Sequence, residues 1–195
     1  VHELAKHNKG IKLLLTSIRD VNIKRKKYVE NCDRLCDLLT IEGLAHLSTN
    51  VRVTTPTGLH YDGLSTFSAE DICVISIMRS GDILLNSVIK AAPGINVGKV
   101  LIQRDENTVE KTPKLYYSKI PACITECKRV IIVDPMLATG GSVLCCLDGL
   151  VQQLGVDQKK ICFFNIVSCP EGIKALLDKY RYVKIITCEI DEGLN

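Results

Sequence analysis

The stretch Val130-Ile131-Ile132-Val133-Asp134-Pro135-Met136-Leu137-Ala138-Thr139-Gly140-Gly141-Ser142 constrains the fold of this chain more than any other. Its first four residues are β-branched and apolar, the composition of a strand buried on both faces. A carboxylate ends the strand, a short loop with two adjacent glycines follows, and an apolar-patterned run over 142–154 opens as a helix. A strand, a glycine-rich turn and a helix start, in that order, form a phosphate cradle. Glycines let successive N–H groups turn toward one point, and the helix adds the positive end of its dipole. Asp134 would stand on the rim where open parallel sheets bind ligands, positioned for ribose hydroxyls beside a bound phosphate. The ligand this predicts is a ribose phosphate.

Two better-known phosphate loops do not fit. The lysine-containing loop of nucleoside triphosphatases needs Gly-Lys-Ser/Thr, and no lysine lies between Val130 and Gln158. The dinucleotide fingerprint G-x-G-x-x-G is also missing from this segment. The surrounding chain continues the alternation. Residues 73–78, 97–103, 130–133, 161–167 and 183–188 read as strands, and 82–90, 142–154 and 170–180 as helices, the last opening on Pro170. The fold class expected is therefore α/β, a mainly parallel sheet with helices on both faces.

Upstream, Tyr28, Val29, Cys32, Leu35, Cys36, Leu39, Leu44 and Leu47 recur at spacings of three and four, predicting a long helix over 24–47 that Gly43 interrupts near its end. Residues 11–18 form a short apolar-faced segment. Residues 51–55, the turn Pro56-Thr57-Gly58 and residues 59–63 read as a β-hairpin outside the alternation, suited to a flap. At 195 residues the size prior gives one domain. Its expected parts are a helical segment 1–50, a hairpin arm 51–64 and an α/β core 70–195.

Composition narrows the partners. Hydrophobic content of 46% with 24% charged residues is ordinary for a soluble globular protein. No apolar run reaches membrane-spanning length and no signal layout opens the chain, so a cytoplasmic protein without a membrane partner is expected. The net charge of +3 says little. Lys24-Arg25-Lys26-Lys27 reads as the solvated first turn of a helix rather than a nucleic-acid or membrane surface. The ten cysteines lie in apolar runs or on helices, and neither C-x3-C pair (Cys32/Cys36, Cys123/Cys127) has a companion at a zinc-site spacing. They read as apolar fillers in a reducing compartment. The four histidines are scattered away from the expected rim, so no histidine base is assigned.

Three loops after strands would share that rim. Arg79-Ser80-Gly81 offers a cation and residues small enough for close backbone approach, Arg104-Asp105-Glu106 another cation, and the third loop is the cradle. A donor carrying a single phosphate and a diphosphate needs this division of labour. Lys111 and Lys119 stay open between a site role and a solvated charge. Tyr116 and Tyr117 are expected to pack into the core from a half-buried strand.

The run from Asp134 to Ser142 resembles the phosphoribosyl diphosphate (PRPP) signature of type I phosphoribosyltransferases, and its wording is similar to that of the uracil phosphoribosyltransferase family. Ser76-Ile77-Met78-Arg79-Ser80-Gly81 resembles that family's diphosphate loop, and Arg104-Asp105-Glu106-Asn107-Thr108 with residues 114–121 is similar to its mobile loop and following strand. Val53-Thr54-Thr55-Pro56-Thr57-Gly58 and Glu42-Gly43-Leu44 are similar to eukaryotic-type members, and the likeness runs over about residues 19–195. The resemblance implies that Arg79 and Arg104 contact the diphosphate and that Asp134 contacts ribose hydroxyls. Ala138, Thr139, Gly140, Gly141 and Ser142 would hold the 5′-phosphate, with Pro135, Met136 and Leu137 completing the donor loop. Asp134 and Arg104 are the expected catalytic pair. The implied reaction is uracil plus PRPP to UMP plus diphosphate. A single carboxylate at the strand tip makes a poor cage for Mg2+, which would arrive mainly through PRPP. The resemblance also implies a homodimer or homotetramer, with the hairpin arm in the dimer contact and GTP as a candidate activator. The base-recognition segment of the family follows the position of Asn195 and is absent from this sequence, so no uracil-binding residue is assigned. The alternative is a catalytically weak or inactive domain that senses PRPP or a nucleotide, or one associated with a uridine kinase.

Overall fold

The computed structural model describes residues 1–104 and 112–193. The chain opens with β1 (His2–Glu3), α1 (Lys9–Ile18) and the long α2 (Arg25–Leu47), followed by the strands β2 (Thr49–Thr54) and β3 (His60–Ser65). Then come β4 (Ile72–Met78), α3 (Asp82–Ala91), β5 (Asn96–Arg104), β6 (Pro113–Lys119), β7 (Arg129–Val133) and β8 (Met136–Leu137). The chain continues through α4 (Gly141–Leu147), β9 (Ile161–Ser168), α5 (Pro170–Lys179) and β10 (Lys184–Ile190).

An eight-stranded sheet in the order β1-β10-β9-β7-β4-β5-β6, with β8 paired to β9, forms the centre. All its pairings are parallel except β5 with β6. The middle strands read as unbroken apolar runs because both faces are covered. Ile72, Val74, Ile131, Val133, Cys162 and Phe164 face one core with α1, α2 and α3. Cys73, Ile75, Ile77, Val130, Ile132 and Phe163 face the other with α4 and α5. Full burial of each such side chain contributes about 1.5–3 kcal/mol.

Helix α2 buries Cys32, Leu35, Cys36, Leu39, Leu44 and Leu47 of the stripe the spacing predicts, but its first two members, Tyr28 and Val29, are 44% and 49% exposed, and residues 24–27 are exposed too. Gly43 does not interrupt it. A Cβ there would run into the ring of Phe164, so the glycine lets a continuous helix lie close against β9. The hairpin of β2 and β3 forms a separate two-stranded antiparallel sheet, with Arg52 bridging Asp62 across it at 2.6 Å. The helix expected over 142–154 is α-helical only to Leu147 and continues as a π-helical stretch, Asp148–Gln153.

Tyr116 and Tyr117 require a correction. They are 50% and 47% exposed, not core residues. Strand β6 pairs only with β5 at the sheet edge, and every residue along it is exposed, so the aromatic pair marks an uncovered edge. Two short strands escaped the sequence reading. At two residues each, β1 and β8 are too short to show a period. No helix among the described residues is long and apolar enough to cross a membrane.

Candidate active site

Strand β4 pairs with β5 on one side and β7 on the other, and the helices that follow β4 and β7 cover opposite faces of the sheet. The connections after these two strands therefore part from each other at the C-terminal rim and leave a crevice, the position where open α/β sheets bind ligands. The loop Arg79-Ser80-Gly81 forms one wall and the cradle the other.

The cradle is held from beneath. Asp134 N–H donates to Phe164 O at 3.3 Å, and Pro135 O accepts from Ile166 N at 2.9 Å and Val167 N at 3.1 Å. Cys169 N donates to Leu137 O at 2.8 Å. What the sequence reads as a loop thus begins as strand β8, running parallel to the end of β9. Leu137 points its side chain into the core at 2% exposure, while Met136 is 64% exposed. The chain then leaves the sheet. Gly140 takes φ +84° and caps α4, a left-handed conformation that a side chain would resist. A Cβ on Gly141 would stand 2.7 Å from Pro113 Cγ at the start of β6. Gly172, in the first turn of α5, lies directly against the Ala138 carbonyl, with no room for a Cβ.

Among the described residues, none of the main-chain amides of 138–142 donates a hydrogen bond. The first amides of a helix have no partner within it. Five consecutive amides, those of 138–142, thus lead into a helix start without an acceptor among the described residues, an arrangement suited to an anionic group of several oxygens.

Across the crevice, Ser80 Oγ donates to Asp134 Oδ1 at 2.8 Å, and the Met136 amide also donates to this carboxylate. Burial pushes the Asp134 carboxyl up to about 6, and these two hydrogen bonds oppose the rise. Arg79 is exposed, follows a cis Met78–Arg79 peptide bond, and among the described residues its guanidinium has no hydrogen bond or ion pair. The Ser80–Asp134 hydrogen bond therefore joins the loop that carries Arg79 to the start of the cradle segment. Arg104 ends β5 on the same rim, its backbone in register with Pro113. The loop expected after it, with Asp105, Glu106 and Lys111, lies outside the described residues. Lys119 lies away from the rim, because β6 runs antiparallel and places it opposite Lys99.

Sequence reasoning missed three contributors: Ser80 as the partner of Asp134, Pro113 packed on the cradle, and Gly172 beneath it. A small polar residue between Arg79 and Gly81 was a readable signal for the first. The other two join the cradle only through tertiary packing. Among the described residues no group of three or more histidine, cysteine or acidic side chains is placed to hold a metal ion. Among the described residues the tip of β7 offers a single carboxylate, Asp134, which suits a cation carried in on an anionic ligand better than a resident one.

Comparison with known proteins extends this reading. The family profile described as uracil phosphoribosyltransferase matches residues 5–195. A uracil phosphoribosyltransferase of Dictyostelium discoideum is 43% identical over 191 residues, covering 97% of this chain and 86% of that protein. Among solved structures, a protein from Aquifex aeolicus superposes with a TM-score of 0.77 at 28% identity, covering 99% of this chain and 88% of that one. An adenine phosphoribosyltransferase from Thermoanaerobacter pseudethanolicus has a TM-score of 0.56 at 18% identity, covering 93% of this chain and 99% of that one, a likeness of fold. The mainly parallel sheet, the separate hairpin and the rim crevice are thus the type I phosphoribosyltransferase architecture, and with its profile matched over almost the whole length, the chain belongs to the uracil phosphoribosyltransferase family.

Proposed function

We propose that this chain transfers the phosphoribosyl group of PRPP to uracil, giving UMP and diphosphate. The observation that carries the reading is the row of amides over residues 138–142, without a hydrogen-bond acceptor among the described residues, beside Asp134, which Ser80 of the Arg79 loop contacts at 2.8 Å. The amides hold the 5′-phosphate by hydrogen bonds and the helix dipole. Asp134 accepts hydrogen bonds from the ribose hydroxyls. Arg79 and Arg104 draw charge from the diphosphate as it leaves. The bond from the anomeric carbon to diphosphate breaks while the base nitrogen, losing its proton, forms the new bond, and the ring passes through an oxocarbenium-like state. Holding both ends of the donor fixes the anomeric carbon for attack. Mg2+ belongs to the donor substrate, bound through the diphosphate, a role supported by the lone carboxylate at the strand tip.

In this reading the protein works in the cytoplasm, as its free thiols suit. It does so as a homodimer or homotetramer, with GTP as a candidate activator. The family match favours turnover over the sensing or kinase-associated alternative. The test is conversion of radiolabelled uracil with PRPP and Mg2+. UMP formation is expected. Conversion of another base and not uracil would move the assignment to that base, and PRPP binding without conversion of any base would support the sensor.

A further inference from the structure

Behind the Arg79 loop lies a polar cluster that the reaction above leaves unused. Ser76 is fully buried and its Oγ donates to Asp82 Oδ1 at 2.8 Å. Lys99 Nζ donates to Asp82 Oδ2 at 2.9 Å. Ser76 and Lys99 are register partners on β4 and β5, so two adjacent strands aim donors at one carboxylate. Asp82 is the first residue of α3 and directly follows Gly81, so this carboxylate fixes where the helix begins.

The loop between strand and helix has almost no slack. Gly81 N–H donates to Ile77 O at 3.0 Å. A Cβ on Gly81 would stand 2.5 Å from Val133 O, 2.7 Å from Ile77 O and 2.8 Å from Ser76 Oγ. On its other side Ser80 is tied to Asp134 at 2.8 Å. Arg79 and Ser80 therefore hang between two carboxylate anchors, Asp134 at the crevice and Asp82 behind it. Lys99 also neutralises Asp82, whose bare negative charge would otherwise sit three residues from a cation meant to meet an anion.

We propose that Lys99 and Asp82, with Ser76, are positioning residues for donor binding, setting where the Arg79 loop meets the diphosphate of PRPP. The proposal rests on the phosphoribosyl-transfer reading. It separates position from stability. The side chains of Lys99 and Asp82 are 39% and 38% exposed. A pair so open to solvent adds little to fold stability, whereas a displacement of about 1 Å in a binding loop costs up to ~100-fold in rate.

The experiment compares the full chain with K99M, K99R and D82N. It measures PRPP affinity with Mg2+ by calorimetry, the KM of each substrate, and thermal melting. K99M should weaken PRPP binding about tenfold, the size of one lost charge-assisted hydrogen bond, and leave the uracil KM and the melting temperature unchanged. K99R should recover to within about threefold, since it restores a cation in reach of the carboxylate. D82N should match K99M, and the double variant should be no worse than either, as expected of one unit. Unchanged PRPP affinity in K99M overturns the proposal while leaving the function standing. Equal losses for both substrates with early melting, unrescued by K99R, also overturn it and make the pair merely structural. Failure of the unaltered protein to bind PRPP overturns the function first and this inference with it.

Discussion

Replacing Asp134 with asparagine should make the ligand-free protein more stable at pH 7.5, while abolishing most of its turnover. The carboxyl sits in the rim crevice with two hydrogen-bond donors, the Ser80 hydroxyl and the Met136 amide, and burial still raises it from 3.8 to about 6. A group raised on folding contributes its full stability below its unfolded value and loses it as pH climbs through the folded one. The native state therefore loses about 3 kcal/mol between roughly pH 4 and pH 7 at this residue. Asparagine does not ionise and escapes that loss, but it must find an acceptor for its amide, at a cost of about 1 kcal/mol. The net gain near pH 7.5 is about 2 kcal/mol, or a rise in melting temperature of about 5 °C for a chain of this size. Urea unfolding and thermal melts of both proteins from pH 4.5 to 8 give the gap directly. It should be near zero at the acid end and open as pH rises. A gap that does not change with pH, or an asparagine variant less stable throughout, would refute the reasoning. In the proposed reading, ribose hydroxyls supply the hydrogen bonds that make the ionised form of this carboxylate favourable.

Further outcomes follow from other parts of the site. Gly140→Ala forces a side chain into φ +84°, 3.3 Å from Gly172 O, and should cost about 1–2 kcal/mol by urea unfolding, with PRPP affinity falling alongside. Arg79→Ala removes a guanidinium with no partner among the described residues, so the melting temperature should hold while the PRPP KM rises about 10- to 100-fold. Buried thiols should resist alkylation in the native protein. Burial pushes Cys36, Cys73 and Cys162 up to about 12. Iodoacetamide at pH 8 should therefore mark the half-buried Cys123 and Cys145 first, read by peptide mass spectrometry, and early labelling of Cys162 would contradict the packing.

Much of this architecture was legible in the residues because the central strands are buried on both faces. Val130, Ile131, Ile132 and Val133 are each 0% exposed, and such burial forces an uninterrupted apolar run of β-branched residues. Helix α2 was plain from Leu35 onward, where its stripe faces one core, whereas Tyr28 and Val29 at its start are exposed. The misread parts share a different cause. Gly43 looks like a helix breaker until Phe164 arrives from a distant strand to need the space, and Tyr116 and Tyr117 look like core residues until the edge position of β6 is known. Each was decided by tertiary neighbours, which local pattern does not encode. At the site, the cradle wording and Arg79 could be read locally, whereas the Ser80–Asp134 hydrogen bond and the packing of Pro113 and Gly172 emerge only when the connections converge on the rim.

Amide NMR during titration with PRPP and Mg2+ measures directly where the phosphate lands. The backbone amides of residues 138–142 should show the largest shifts and saturate together with binding measured by calorimetry. Saturable PRPP binding that leaves those amides unmoved and shifts resonances elsewhere would contradict the cradle's role.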